Sequence, residues 1–369
     1  MKNQLTINWQ HFLTTYWQKK PVVIRQGIAN FSDPITPDEL AGLALEEDIE
    51  SRIVTNKDGK WDAQYGPFES YDHLGESHWT LLVQAVDHWH ESAATLIEPF
   101  RVLPHWQFDD LMISYATAQA GVGPHIDNYD VFIIQGMGKR RWMVGDKNPN
   151  YLEFCAHPAL LHVEEYQPII DEELNPGDIL YIPVGFPHNG ISLTESLSYS
   201  VGFKTPSSQE MLSSFADYVL DTVNKQIYYQ DPDLKLSQAP YQIQNYEIEM
   251  LKSQLCQLIN NQELFIDWFG KHITQPMHEL DIIPLDPPYT FEELQQEIND
   301  GSQLHRVPSI RIFKIGKQGF IHSQRIALNE QYIDLLCQKE ILTEKDFNDP
   351  TLLNGMLDLI NQGFWYFSD

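Results

Sequence analysis

Residues 108–205 form a series of short apolar runs divided by turns, with no helical pattern between them. Residues 131–135 and 140–144 lie on either side of a glycine-containing segment, which predicts two strands joined in a hairpin. Further strands are predicted at residues 178–182 and 196–203. Strands at this spacing favour an antiparallel barrel or jelly roll over a doubly wound parallel sheet.

Helical patterns lie on both sides of this strand-rich segment. Residues 8–20 predict a short helix with Asn8 as its N-cap, and a second helix is predicted to begin at Thr36. After residue 206 the pattern is again helical, and one long helix is predicted at 246–269. Its apolar stripe consists of Ile248, Leu251, Leu255, Leu258 and Ile259.

The pattern in the last part of the chain predicts a small α/β unit. Three prolines make residues 282–289 a predicted linker. The elements expected after it are a helix near 291–299, strands near 308–315 and 318–322, and helices near 329–337 and 350–361. This order is typical of a winged-helix-like domain. The chain is therefore expected to divide into residues 1–205, 206–285 and 286–369.

The charge of the chain is strongly negative. It has 52 acidic and 24 basic residues, for a formal charge of −28. Such a field repels nucleic acid and attracts basic proteins, although acidity also serves solubility alone. Three scattered cysteines, no apolar run long enough to span a membrane and no apolar leader at the N-terminus predict a cytoplasmic protein.

Three residues predict a metal site. His125 and Asp127 are two positions apart at the mouth of a strand, so their side chains project from one face. His188 follows the strand at 178–182 after a turn rich in proline and glycine. Two imidazoles and one carboxylate on one face of iron leave positions open for a 2-oxo acid and dioxygen. The pattern predicts a non-haem iron(II) oxygenase.

An oxygenase that uses 2-oxoglutarate also needs a cation for the distal carboxylate. Arg140 shares a strand face with Trp142 and Val144, which prefer burial. A buried arginine is costly unless it pairs with a carboxylate, and a guanidinium binds a carboxylate through two parallel hydrogen bonds. We expect Arg140 to bind 2-oxoglutarate. The alternative is that Arg140 pairs with a structural acid or extends to solvent.

The sequence resembles the JmjC-type 2-oxoglutarate oxygenases, and among them the bacterial ribosomal oxygenases. The resemblance runs along essentially the whole chain and is carried by residues 66–73, 109–114, 129–136 and 171–183. It implies a double-stranded β-helix barrel, a helical region that forms a homodimer and a C-terminal winged helix. It also implies the metal ligands and the Arg140 role given above, with iron(II), 2-oxoglutarate and dioxygen as cofactor and co-substrates.

The same resemblance implies a substrate. It implies hydroxylation of the β-carbon of an arginine in a large-subunit ribosomal protein, with that arginine bound among residues that match Asp110, Met112, Tyr129 and Ser200. Two alternatives remain open: a JmjC enzyme of other specificity (histidyl hydroxylase or demethylase), or a non-catalytic barrel that binds a basic protein. Because acidic residues crowd the region of its expected recognition helix, the winged helix is expected to contact protein rather than nucleic acid.

Overall fold

The computed structural model describes residues 5–204, 206–236, 238–276, 282–347 and 349–368. Parts of the predicted N-terminal and dimerisation segments, residues 1–4 and 277–281, lie outside these described residues. The chain forms two compact units, residues 1–205 and 206–369. Among the described helices, none has both the length and the hydropathy needed to cross a bilayer.

The first unit is built mainly from strands. In chain order they are Val22–Ile24 (β1), Ser51–Lys57 (β2), Lys60–Tyr65 (β3), Trp79–Val83 (β4), Phe108–Ala116 (β5), His125–Ile126 (β6), Tyr129–Gln135 (β7), Arg140–Gly145 (β8), Glu153–His157 (β9), Leu160–Val163 (β10), Pro168–Leu174 (β11), Ile179–Ile182 (β12), Pro187–Ser192 (β13) and Ser196–Lys204 (β14). The helices are Trp9–Thr15 (α1), Pro37–Leu43 (α2), Val86–Trp89 (α3) and Glu91–Ala94 (α4), with 3₁₀ turns at Glu98–Phe100 and His105–Gln107.

Two antiparallel sheets make the barrel. The larger sheet has eight strands in the order β1-β12-β7-β14-β5-β4-β2-β3, and the smaller has four in the order β11-β8-β13-β6. A separate pair, β9 and β10, adjoins them. This arrangement confirms the predicted jelly-roll barrel. Strands β2, β3 and β4, which the sequence pattern did not reveal, extend the larger sheet.

The predicted hairpin at residues 131–144 is wrong. β7 pairs with β12 and β14, whereas β8 pairs with β11 and β13, so the two strands belong to opposite sheets. The connection between them packs on the turn at residues 193–195: Lys139 N–H donates to Thr194 Oγ1 at 3.1 Å. Both predicted strands exist. Their alternation of side chains defined each strand but not its hydrogen-bonding partner, which is distant in sequence.

The larger sheet is apolar on both faces near its centre. On β7, Phe132 and Ile134 pack outward against helix α1 and its neighbours, whereas Val131 and Ile133 face the barrel interior. Trp142 of β8 packs on the interior side with them. Because both faces are buried, β7 reads as a continuous apolar run rather than an alternating one.

The helix starts predicted from N-cap residues are confirmed. Asn8 accepts a hydrogen bond from the His11 N–H, and Thr36 forms a capping box with Glu39. The first helix ends at Thr15 rather than near residue 20.

The second unit contains helices and two small sheets. The helices are Ser208–Thr222 (α5), Asn245–Ile259 (α6), Gln262–Ile273 (α7), Phe291–Asn299 (α8), Glu330–Gln338 (α9) and Pro350–Asn361 (α10), with a 3₁₀ turn at Glu344–Asp346. The strands are Gln303–Arg306 (β15), Ile312–Ile315 (β16), Gln318–Ile321 (β17), Gln324–Ile326 (β18), Ile341–Leu342 (β19) and Trp365–Ser368 (β20). Leu336, Met356 and Trp365 are completely or almost completely buried in its core.

The single helix predicted at 246–269 is two helices. α6 ends at Ile259, and Asn261 caps α7 by accepting from the Leu264 N–H at 3.2 Å. An asparagine side chain hydrogen-bonds to backbone N–H groups in a non-helical conformation, so Asn261 ends one helix and caps the start of the next. The apolar periodicity continues across the break, which explains the error.

Candidate metal and co-substrate site

The three predicted metal ligands meet inside the barrel. His125 of β6 lies directly opposite His188 of β13 in the smaller sheet, and their ring centroids are 4.3 Å apart. Asp127 lies between them: its Oδ1 is 3.6 Å from His125 Nε2 and its Oδ2 is 3.4 Å from His188 Nε2. One ligand atom from each residue lies within 4.8 Å of the other two. This spacing suits a single metal ion.

The backbone fixes which ring nitrogen of each histidine faces Asp127. His125 Nδ1 is 2.9 Å from the Gly123 carbonyl, and His188 Nδ1 is 3.0 Å from the Phe186 carbonyl. A carbonyl oxygen only accepts, so each Nδ1 carries the hydrogen. In the neutral form of each ring, Nε2 therefore keeps its lone pair for a metal, the arrangement typical of histidine ligands.

The electrostatics of the triad also fit a cation. Burial lowers the pKa of His125, and the neighbouring His188 lowers it further. Burial opposes charge on His188 too, but Asp127 raises its pKa above the ordinary value. Burial alone would raise the pKa of Asp127, but the neighbouring imidazoles of His125 and His188 lower it more, so the pKa of this carboxyl is below its ordinary value. The ionised Asp127 carboxylate therefore faces the His188 imidazole and favours its protonation. A bound metal ion would take the place of that proton.

A further histidine supports the loop that carries His125. His162 of β10 is buried, and its Nε2 lies 2.9 Å from the Val122 carbonyl. Its ring packs against Gly123, where a Cβ atom would lie 2.3 Å from it; Gly123 also has a φ of +85°. Trp61 contacts the same ring edge to face at a centroid distance of 4.6 Å. His162 thus holds the Val122–Gly123 segment, and the Gly123 carbonyl of that segment orients His125.

Arg140 points into the same interior. It is 5% exposed, and its guanidinium lies 3.0 Å from Ser198 Oγ, 3.2 Å from Ser114 Oγ and 3.2 Å from Ser196 Oγ. No carboxylate in the described part of the chain lies within 4.0 Å of it. Burial lowers its pKa to about 10. A buried guanidinium that is held by neutral hydroxyls retains its full charge for an anionic ligand.

The triad and Arg140 line one cavity of about 120 Å³. Met112, Tyr129 and Ser200, three of the four predicted substrate residues, line it as well. Ser200 lies opposite Met112 on the neighbouring strand. Tyr129 lies close enough to Asp127 for each to shift the pKa of the other, and burial together with nearby carboxylates raises the pKa of Tyr129 well above the ordinary value.

Asp110 is not among the residues that line this cavity. It lies on β5 two positions before Met112, where the pairing of β5 with β14 is irregular, and its Oδ2 accepts from the Ala85 N–H at 2.8 Å. Burial raises the pKa of Asp110 to about 7, and the nearby carboxylates of Asp109 and Asp87 raise it too. Its charge in turn raises the pKa of Tyr129. The substrate-selecting role predicted for Asp110 stays a prediction.

Several residues at the site were missed in the sequence. Ser114 and Ser198 contact Arg140, and each lies two positions from another residue that lines the cavity, Met112 or Ser200. This alternation is visible in the sequence. Arg52, Thr80 and Gln84 also line the cavity. They lie on or next to β2 and β4, for which no prediction was made.

The comparisons with known proteins agree with this fold and site. Residues 95–211 match the model of the JmjC domain, and residues 257–366 match the model of the ROXA-like winged helix. The predicted pairing of a JmjC barrel with a C-terminal winged helix is therefore confirmed.

Individual relatives identify a smaller family within the JmjC-domain proteins. The chain is 49% identical to the ribosomal protein uL16 3-hydroxylase of Escherichia coli K12 over the full length of both. It is 38% identical to a probable ribosomal oxygenase of Haemophilus influenzae, over 62% of this chain and 55% of the relative. It superposes on the crystal structure of E. coli YcfD with a TM-score of 0.94, and on YcfD in complex with cobalt and 2-oxoglutarate with 0.91, each over all of both chains and at 48% identity. The chain belongs to the JmjC-type ribosomal oxygenase family.

Proposed function

We propose that this protein is a 2-oxoglutarate- and iron(II)-dependent hydroxylase of an arginine β-carbon in a large-subunit ribosomal protein. The observation that carries the proposal is the position of His125, Asp127 and His188 in one cavity with Arg140. The E. coli relative is named for the 3-hydroxylation of uL16, which makes that protein the expected substrate.

Each residue has a distinct task in this proposal. His125, Asp127 and His188 would hold the iron, and Arg140 would bind the distal carboxylate of 2-oxoglutarate. When bound, iron(II), 2-oxoglutarate and dioxygen supply the oxidant that converts a substrate C–H to C–OH, with release of succinate and carbon dioxide. The Gly123 and Phe186 carbonyls keep both ligand rings in orientation.

The substrate arginine would enter past Met112, Tyr129 and Ser200. Tyr129 offers a flat ring and a hydroxyl beside Asp127, and Ser200 offers an acceptor from the last strand of the barrel. Asp110 supplies negative charge next to Tyr129. The formal charge of −28 attracts a basic ribosomal protein over longer distances. Such a substrate also assigns the protein to the cytoplasm.

The proposal includes a homodimer formed through residues 206–285. Helix α6 buries none of its residues, and its stripe leaves Leu251, Leu255 and Ile259 44%, 65% and 44% exposed. Leu212 and Leu220 of α5 are also exposed. Apolar surface of this extent marks an interface in a water-soluble protein, and a two-fold contact between identical chains is the commonest way to cover it.

The function is tested by incubating the purified protein with iron(II), 2-oxoglutarate and a uL16 fragment. The expected products are succinate and a fragment with one added oxygen on an arginine side chain. Addition on histidine would indicate the histidyl hydroxylase alternative, and loss of methyl groups from lysine would indicate a demethylase. Binding of the fragment without succinate formation would support the non-catalytic alternative.

A further inference from the structure

Arg52 is a second guanidinium that faces the active-site cavity. It lies on β2, opposite Leu82 of β4, and Leu82 lies opposite Ser114 of β5. Residues that are directly opposite in neighbouring antiparallel strands share a sheet face, so Arg52 faces the interior together with Ser114. Two strand spacings put their backbones about 10 Å apart. Because Ser114 contacts Arg140, the cavity has one cation from each sheet.

The two arginines differ in their partners. Arg140 donates to three serines, whereas the Arg52 guanidinium makes no hydrogen bond or ion pair with any described residue. Its Nε is inaccessible to solvent and has no partner. By contrast, Arg141 and Arg25, on the outside of the barrel, pair with carboxylates. A buried, unsatisfied donor on a charged group is costly and is found chiefly where a ligand satisfies it.

The chemistry around Arg52 selects the kind of ligand. Its charge lies close enough to Tyr129 to oppose the effect that burial and the carboxylates have on the pKa of that phenol. A guanidinium has five donors and no acceptor, so it binds oxygen acceptors. It would repel the positively charged side chain of a substrate arginine. The ligand is therefore an oxygen acceptor that arrives near the metal ligands with the reactants.

We propose that Arg52 binds an oxygen acceptor of the bound reactants beside the metal triad, either a carboxylate of 2-oxoglutarate or a main-chain carbonyl of the substrate peptide. This proposal rests on the proposed hydroxylase function. Arg140 would bind the distal end of the co-substrate from the smaller sheet, and Arg52 would complete the site from the larger sheet. Neither role of Arg52 follows from the metal ligands alone.

The test compares Arg52→Met and Arg52→Lys with the wild type. Methionine keeps an unbranched apolar stem, and lysine keeps the charge but not the planar fork. Arg141→Met is the matched control, because it also removes a guanidinium but breaks only an exposed ion pair with Asp171 on the outer face of the barrel. Circular dichroism checks folding, and Arg52→Gln replaces Arg52→Met in the assays if the methionine variant does not fold.

Two measurements separate the two sources of the acceptor. Calorimetry on Co(II)-loaded protein gives the Kd for 2-oxoglutarate without peptide and without turnover. Steady-state assays at saturating 2-oxoglutarate give the KM for an arginine-containing uL16 peptide. Loss of a hydrogen bond to a charged group predicts a rise of about ten- to hundredfold in one of these constants for Arg52→Met. The constant that rises identifies the ligand.

The outcomes are distinguishable from failure of the proposed function. If wild-type protein binds 2-oxoglutarate but hydroxylates no peptide, the proposed substrate is wrong, and the calorimetric arm still tests Arg52. If both constants of Arg52→Met stay within twofold of those of Arg141→Met, Arg52 binds neither reactant and the inference is overturned. Arg52→Lys is expected to lie between the wild type and Arg52→Met.

Discussion

Replacing Arg140 by methionine should change the stability of the free protein little but lower its affinity for 2-oxoglutarate strongly. Burial lowers the pKa of Arg140 from 12.5 to about 10, and the residue stays charged at pH 7. At about 1.4 kcal/mol per pKa unit, this shift costs the folded free protein about 3 kcal/mol. Because the folded-state pKa is the lower one, the cost is present in full at pH 7 and disappears only between about pH 10 and 12.5.

The methionine variant removes this cost but also removes the hydrogen bonds to Ser114, Ser196 and Ser198. Hydrogen bonds to a charged group contribute about 1.5–3 kcal/mol each, so their loss offsets the relief from desolvation. The serines keep other partners after the substitution: Ser192 Oγ lies 2.6 Å from Ser196 Oγ, and Ser114 Oγ lies 3.3 Å from Ser198 Oγ. The two effects nearly cancel, and the stability of the free variant should stay within about 2 kcal/mol of the wild type. Its affinity for 2-oxoglutarate should fall by about 2–5 kcal/mol, or roughly 30-fold to several-thousand-fold in Kd.

Urea unfolding without ligands and calorimetry with 2-oxoglutarate on Co(II)-loaded protein measure the two effects. Arg141→Met, one residue away on the outer face, should change either quantity by less than about 1 kcal/mol. A variant at Arg140 that is clearly destabilised but binds 2-oxoglutarate normally would show that this arginine is structural, and the reasoning would be refuted.

Three further predictions concern other parts of the molecule. His162→Ala should loosen the Gly123 loop and weaken Co(II) binding by about 10- to 100-fold in a titration, whereas an unchanged affinity would show that the loop holds His125 by itself. Asp110→Ala should lower kcat/KM for an arginine peptide by about 2–4 kcal/mol. Because the raised pKa of Asp110 leaves it protonated below about pH 7, kcat/KM in the wild type should rise through that pH, and Asp110→Asn should lose the rise. Leu255→Glu on α6 should give a monomer by light scattering, and a monomeric wild type would contradict the dimer.

Local signals in the sequence predicted local structure well. Asn8 and Thr36 cap helices as expected, because a cap depends on residues only three positions away. The hairpin failed because strand pairing depends on residues far along the chain: β7 and β8 are adjacent in sequence and lie in different sheets. The break between α6 and α7 was missed because the apolar period continues through it.

The candidate site shows the same limit. His125 and Asp127 could be found from their spacing of two positions at the mouth of a strand, and His188 from the strand and turn before it. Arg52 and His162 could not be found in this way. Their importance comes from the strands that they face: Arg52 is brought to the cavity through Leu82 and Ser114, and His162 through its contact with Val122. Sequence spacing contains no information on such pairings.

The most direct test of the central claim is mass spectrometry of a uL16 fragment after reaction with the purified protein, iron(II) and 2-oxoglutarate, with succinate measured in the same sample. The account predicts one added oxygen on an arginine side chain and an equal amount of succinate, and neither product with Asp127→Ala. An unmodified fragment with the active wild type, or full hydroxylation by Asp127→Ala, would contradict it.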